Sequence, residues 1–148
     1  MQKLLLSIHP FLQGLAILLA FYGAILGLNR VRSLHFNQRA VIFHRKRHAL
    51  IGAISLFMLL GGMGGGFYIA KLAWEGMVVI NWHKNLALLI LPFLGIGIGT
   101  GLFLYFKLGK RKILPAIHGI NNLILLILLL AQAYSGFHVY LKHVLKIQ

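Results

Sequence analysis

Histidine supplies most of the chemistry this sequence can offer. There is no cysteine, and one carboxylate, Glu75, stands against 15 Lys and Arg. Disulfides, iron–sulfur clusters and covalently attached c-type haem are excluded for want of thiols. A hydrolytic triad lacks both the acid that orients the base and a cysteine nucleophile. A carboxylate proton relay, or a metal transporter built on acidic ligands, has no residues to use. Eight imidazoles remain: His9, His35, His44, His48, His83, His118, His138 and His143. Neutral imidazole is the commonest metal ligand in proteins.

The elements that must position them are membrane helices. Hydrophobic residues make up 59% of the 148-residue chain and charged residues 11%. A soluble domain carries about 25% charged residues, so lipid has to be the solvent for most of this surface. The net charge of +14 would suggest nucleic acid in a soluble protein. In this chain the cations fall in loops, where they fix topology and meet lipid head groups. A bilayer core needs about 20 consecutive apolar residues per helix, and four runs qualify: about 4–28, 49–73, 82–106 and 116–141. The expectation is a single all-α domain, an integral membrane four-helix bundle running up-down-up-down. The first run has no small-residue cleavage site and reads as a retained helix. Trp74 and Trp82 flank the second linker, where interfacial aromatics belong, and Pro92 falls inside the third run.

The first linker holds Arg30, Arg32, Arg39, Arg45, Lys46 and Arg47, and the third holds Lys107, Lys110, Arg111 and Lys112. The second linker carries Glu75. The positive-inside rule therefore puts the first and third linkers in the cytoplasm and both termini outside. A prokaryotic cytoplasmic membrane fits that rule.

Four histidines fall one per run, each near its start: His9, His48, His83 and His118. Successive helices alternate direction, so His9 and His83 share one depth and His48 and His118 the other. Ionisable residues inside membrane segments are costly and mark function by default. Two imidazoles from facing helices can hold a haem iron axially, one on each side of the ring, in a bundle core. Two such pairs predict two non-covalent b haems, one near each face. The plainer reading puts each histidine at a helix end among head groups.

A flat haem also needs small residues where it lies against a helix. Counting 13 or 14 residues from each histidine, about 20 Å, reaches Gly23, then Gly61 and Gly62, then Gly97, then Ala131. These are candidate cofactor-binding positions, although glycine also serves close helix packing. His138, 20 residues after His118, is an alternative ligand that would replace His9 as the partner of His83.

The segments His9-Pro10, Trp82-His83-Lys84-Asn85 and Leu114-Pro115-x-x-His118-Gly119-x-x-Asn122 give the chain a resemblance to the cytochrome b561 superfamily. It resembles the small four-helix form over nearly its whole length. The resemblance implies two b-type haems shared between alternate helices, His9 with His83 and His48 with His118. It also implies electron transfer with quinol or a redox protein. The four runs lack counterparts of the two flanking helices of the six-helix members, which puts the ascorbate substrate of those members in doubt for this chain.

Bis-histidine ligation leaves no open position for oxygen chemistry, so the function expected is transmembrane electron transfer. Arg45, Arg47 and Lys112 can attract an acidic partner to one end; Lys71 and Lys84 are weaker candidates at the other. Two other classes stay open. One is a haem-bearing anchor subunit of a larger oxidoreductase, which would co-purify with a second protein. The other is a haem-free structural or transport protein, which would be colourless.

Overall fold

The computed structural model describes residues 2–35, 42–74, 81–109 and 111–146. Arg39, Glu75 and Lys110 lie outside the described residues. The chain forms α1 (Gln2–His35), α2 (Arg45–Trp74), α3 (Asn81–Phe106) and α4 (Ile113–Val139), continued by a π-helical turn, Tyr140–Leu145. In lipid, every backbone N–H and C=O must be bonded within the chain, and the α-helix achieves this segment by segment. All four helices are long and apolar enough to cross a bilayer. The chain is an integral membrane protein of the all-α, four-helix type.

The boundaries differ most from those expected around the first linker, and α4 also begins earlier, at Ile113, with its π-helical continuation ending at Leu145. The first helix runs to His35 and the second starts at Arg45, so both reach into the basic linker. Apolarity sets only the stretch inside the hydrocarbon. The helical hydrogen-bond ladder continues beyond it, and long cationic side chains reach the head groups from the helix ends. Pro10 and Pro92 are both accommodated inside continuous helices.

α1 packs chiefly on α2 and α3 chiefly on α4, giving two antiparallel hairpins. The hairpins meet less intimately, through α2 with α3 and α1 with α4. Diagonally opposed helices do not pack on one another among the described residues. The core is a plug of Ala16, Leu56, Leu59, Leu86, Ile90, Leu94, Leu125 and Leu129. On every helix the plug lies, in chain order, after the histidine of the run and before the small residue 13 or 14 positions on from it.

Since lipid is as apolar as leucine, burial alone does not hold such helices together; close packing and interhelical hydrogen bonds do. Each hairpin is stitched by polar side chains to the neighbouring backbone. Buried Ser55 Oγ donates to the Ala16 carbonyl at 3.1 Å and Gln13 Nε2 to that of Met58 at 3.4 Å. In the second hairpin Asn121 Nδ2 donates to the Phe93 carbonyl at 2.9 Å.

Candidate functional site

Diagonal helices stay apart, yet their histidines face one another. The rings of His48 on α2 and His118 on α4 have centroids 6.2 Å apart, with planes at 85°. At the other end His9 on α1 and His83 on α3 lie within electrostatic range of each other. All four are partly buried. The structure thus brings His48 and His118 into ring contact and leaves His9 and His83 near enough to interact electrostatically. Among the described residues no three His, Asp or Glu side chains gather in a metal-ion cluster; the imidazoles come in twos.

Each ring rests on a glycine of its own hairpin partner. A Cβ on Gly66 would stand 2.6 Å from Cε1 of His9, and one on Gly27 would stand 3.0 Å from Cε1 of His48. A Cβ on Gly136 would lie 3.0 Å from Cε1 of His83, and one on Gly101 would lie 3.3 Å from that of His118. The arrangement is reciprocal within each hairpin: each helix gives an imidazole at one end and a glycine seat at the other. In all four helices the seat follows the histidine by 18 positions, as in 9 to 27, 48 to 66, 83 to 101 and 118 to 136. Eighteen residues are five full turns, about 27 Å, so seat and ring lie on one face of the helix.

The small residues expected 13 or 14 positions on have varied surroundings. Gly23 is buried, approaches Gly52, and its carbonyl lies 2.9 Å from His48 Nδ1. Gly62 faces the Gln13 side chain, and Gly97 faces Asn121, Asn122 and Leu56. Ala131 packs against the core plug. Gly61 is exposed with open space around it. His138 is also exposed, two residues beyond the Gly136 seat.

Further polar side chains complete both ends, Thr100, Ser135, Gln132, Ser7 and Tyr140 among them not picked out from the sequence. His118 Nδ1 lies 2.9 Å from Thr100 Oγ1, and Asn122 Nδ2 donates to the His118 carbonyl at 2.7 Å. His83 Nδ1 lies 2.8 Å from Ser135 Oγ, and Gln132 Nε2 lies 3.3 Å from His83 Nε2. Ser7 and Tyr140 join hydroxyls at 2.8 Å above the His9 level. His9 Nδ1 and Gln132 Oε1 are buried and make no hydrogen bond of ordinary geometry. Beside His48, Arg45 donates to the Leu104 and Tyr105 carbonyls at the end of α3 and lies over the Tyr105 ring.

Imidazoles paired in this way could hold a metal axially. Two metal–nitrogen bonds of about 2 Å separate the centres of two imidazoles by ~6 Å, and the His48–His118 pair is already at that spacing. The glycine seats let each ring sit close to its neighbouring helix, and Nδ1 contacts orient three of the rings, His48, His83 and His118.

No family model, curated protein or solved structure matches this chain.

Proposed function

We propose that this chain is a di-haem b-type membrane cytochrome that carries electrons across a bilayer. The observation that supports it best is the His48–His118 pair: two imidazoles from diagonal helices whose backbones stay apart, with ring centres 6.2 Å apart. Packing alone gives no reason for two polar rings to meet in the interior of a lipid-embedded bundle. His48 and His118 would hold one haem and His9 and His83 the other. A haem so held supplies a one-electron carrier with both axial positions filled.

The protein's own contributions follow from the geometry. The glycine seats admit the rings, Nδ1 contacts orient His48, His83 and His118, and the apolar plug keeps water and protons from passing between the two ends. Without a carboxylate in any described span, an electron can cross uncoupled from proton movement through the protein. By the positive-inside rule, the basic linkers favour a cytoplasmic position for the His48–His118 end. Arg45 and its neighbours then attract an acidic redox partner there, and the lipid-facing flanks give quinol access from the bilayer. This reading agrees with the resemblance to the small cytochrome b561 proteins.

The test is the visible spectrum of purified protein, oxidised and then dithionite-reduced, with a haem-to-protein ratio. Sharp low-spin b bands at two haems per chain support the proposal. One haem leaves a single pair standing. Colourless protein from cells with ample haem overturns it.

A further inference from the structure

The second hairpin repeats one detail at both of its ends. The residue just before each glycine seat bears a hydroxyl: Thr100 precedes Gly101 and Ser135 precedes Gly136. Each hydroxyl touches the Nδ1 of the histidine that rests on that seat, at 2.9 Å for His118 and 2.8 Å for His83. A hydroxyl has one proton and two lone pairs. Both protons are used along the hydroxyl's own helix, from Thr100 to the Ile96 carbonyl at 2.6 Å and from Ser135 to the Gln132 carbonyl at 2.9 Å. Such bonds to carbonyls three or four residues back are ordinary for Ser and Thr in helices. Each oxygen can then only accept, so the proton in each histidine contact belongs to Nδ1.

We propose that Thr100 and Ser135 are positioning residues that hold His118 and His83 in the Nδ1–H tautomer, leaving Nε2 with its lone pair for a metal. Neighbouring contacts agree. The Gln132 amide, a donor, stands 3.3 Å from His83 Nε2, as it should if that nitrogen accepts. Asn122 Nδ2 lies 3.3 Å and 3.5 Å from the two ring nitrogens of His118, but its short bond, 2.7 Å, goes to the His118 carbonyl. Each histidine pair therefore contains one member anchored by a hydroxyl. In the first hairpin the seats are preceded by Leu26 and Gly65, and His48 turns instead to the Gly23 carbonyl.

The tautomer is independent of the haem reading; its use in holding iron rests on that reading. The test is the ring-nitrogen NMR of the intact protein labelled with ¹⁵N-histidine, in its diamagnetic dithionite-reduced state. His83 and His118 should both show a protonated Nδ1. Ser135→Ala should release His83 into a mixture of tautomers or rotamers and leave His118 as it was. It should also weaken haem retention at the His83 end by roughly 10–100-fold, the usual cost of losing a ligand's hydrogen-bond partner. Thr100→Val should do the same at the His118 end. Ser135→Thr and Thr100→Ser keep the hydroxyl and should restore both readouts, which a loss of packing alone would not explain. A protonated Nε2 in the wild type, or unchanged ring signals in both hydroxyl-free variants, would overturn the assignment. If the wild type is colourless the haem reading falls, while the ring-nitrogen spectrum still decides this one.

Discussion

The two ends of the bundle follow one plan in different materials. At the His48–His118 end both rings have an Nδ1 contact, to the Gly23 carbonyl and the Thr100 hydroxyl, and guanidinium groups lie close by. At the His9–His83 end one ring is anchored by Ser135 while the His9 Nδ1 makes no regular hydrogen bond. The side chains hydrogen-bonded there, Gln13, Gln132, Ser7 and Tyr140, are neutral, and the lysines at that end, Lys71 and Lys84, are exposed. Cations favour the more negative, reduced form of a redox centre, and hydrogen bonds at the ligands tune it further. Two centres built to the same plan should therefore differ in potential, with the His48–His118 end the higher. On the proposed function, an electron would then move spontaneously from the less basic end to the more basic one.

The largest effect should come from removing one ligand at a time. His118→Ala should abolish one haem of the two and leave the other's midpoint in place, and His83→Ala should do the converse. Haem content and redox titration read both; loss of both haems from either variant would break the idea of separate ends. Next come the seats. Gly66→Ala places a Cβ 2.6 Å from the His9 ring, whereas Gly101→Ala places one 3.3 Å from His118. The first should cost the 1–3 kcal/mol typical of overpacking, and the second under about 1 kcal/mol, as seen in thermal unfolding in detergent. A smaller change should follow Arg45→Ala, which removes hydrogen bonds to two terminal carbonyls of α3. It should cost about 1 kcal/mol, low in the range for charged hydrogen bonds because the group is partly in solvent. It should also lower the midpoint of the His48–His118 centre alone, and a shift at both ends would refute the assignment of charge to one. Ser55→Ala, midway between the ends, should cost only about 0.6 kcal/mol and move neither midpoint.

The membrane fold was legible because lipid imposes a length and a composition that few sequences meet by chance. The depth pairing was legible too, because alternating helix direction converts position in a run into position across the bilayer. What the helices do beyond the hydrocarbon was not: polarity marked 29–35 and 45–47 as linker, yet backbone bonding carries the helix through them. The seats were also missed. Counting 13 or 14 residues finds Gly23 and Gly62, but the glycines that meet the rings lie one turn further on. A histidine followed by glycine at 18 positions, four times over, was the available signal. Thr100 and Ser135 were harder to see, because their partners lie on another helix and the rotation of that helix decides the contact.

The glycine seats bear on how each hairpin keeps its register. Sliding α1 one turn along α2 would carry His9 from Gly66 to Gly62 and, in the same movement, His48 from Gly27 to Gly23. Glycine meets imidazole in either alignment. The same slip between α3 and α4 would bring His118 to Gly97 but drive His83 into Gln132. The second hairpin is locked by its own seats. The first relies on fastenings near its middle, the Ser55 hydroxyl on the Ala16 carbonyl and Gln13 on that of Met58, to choose between two alignments about 5.4 Å apart.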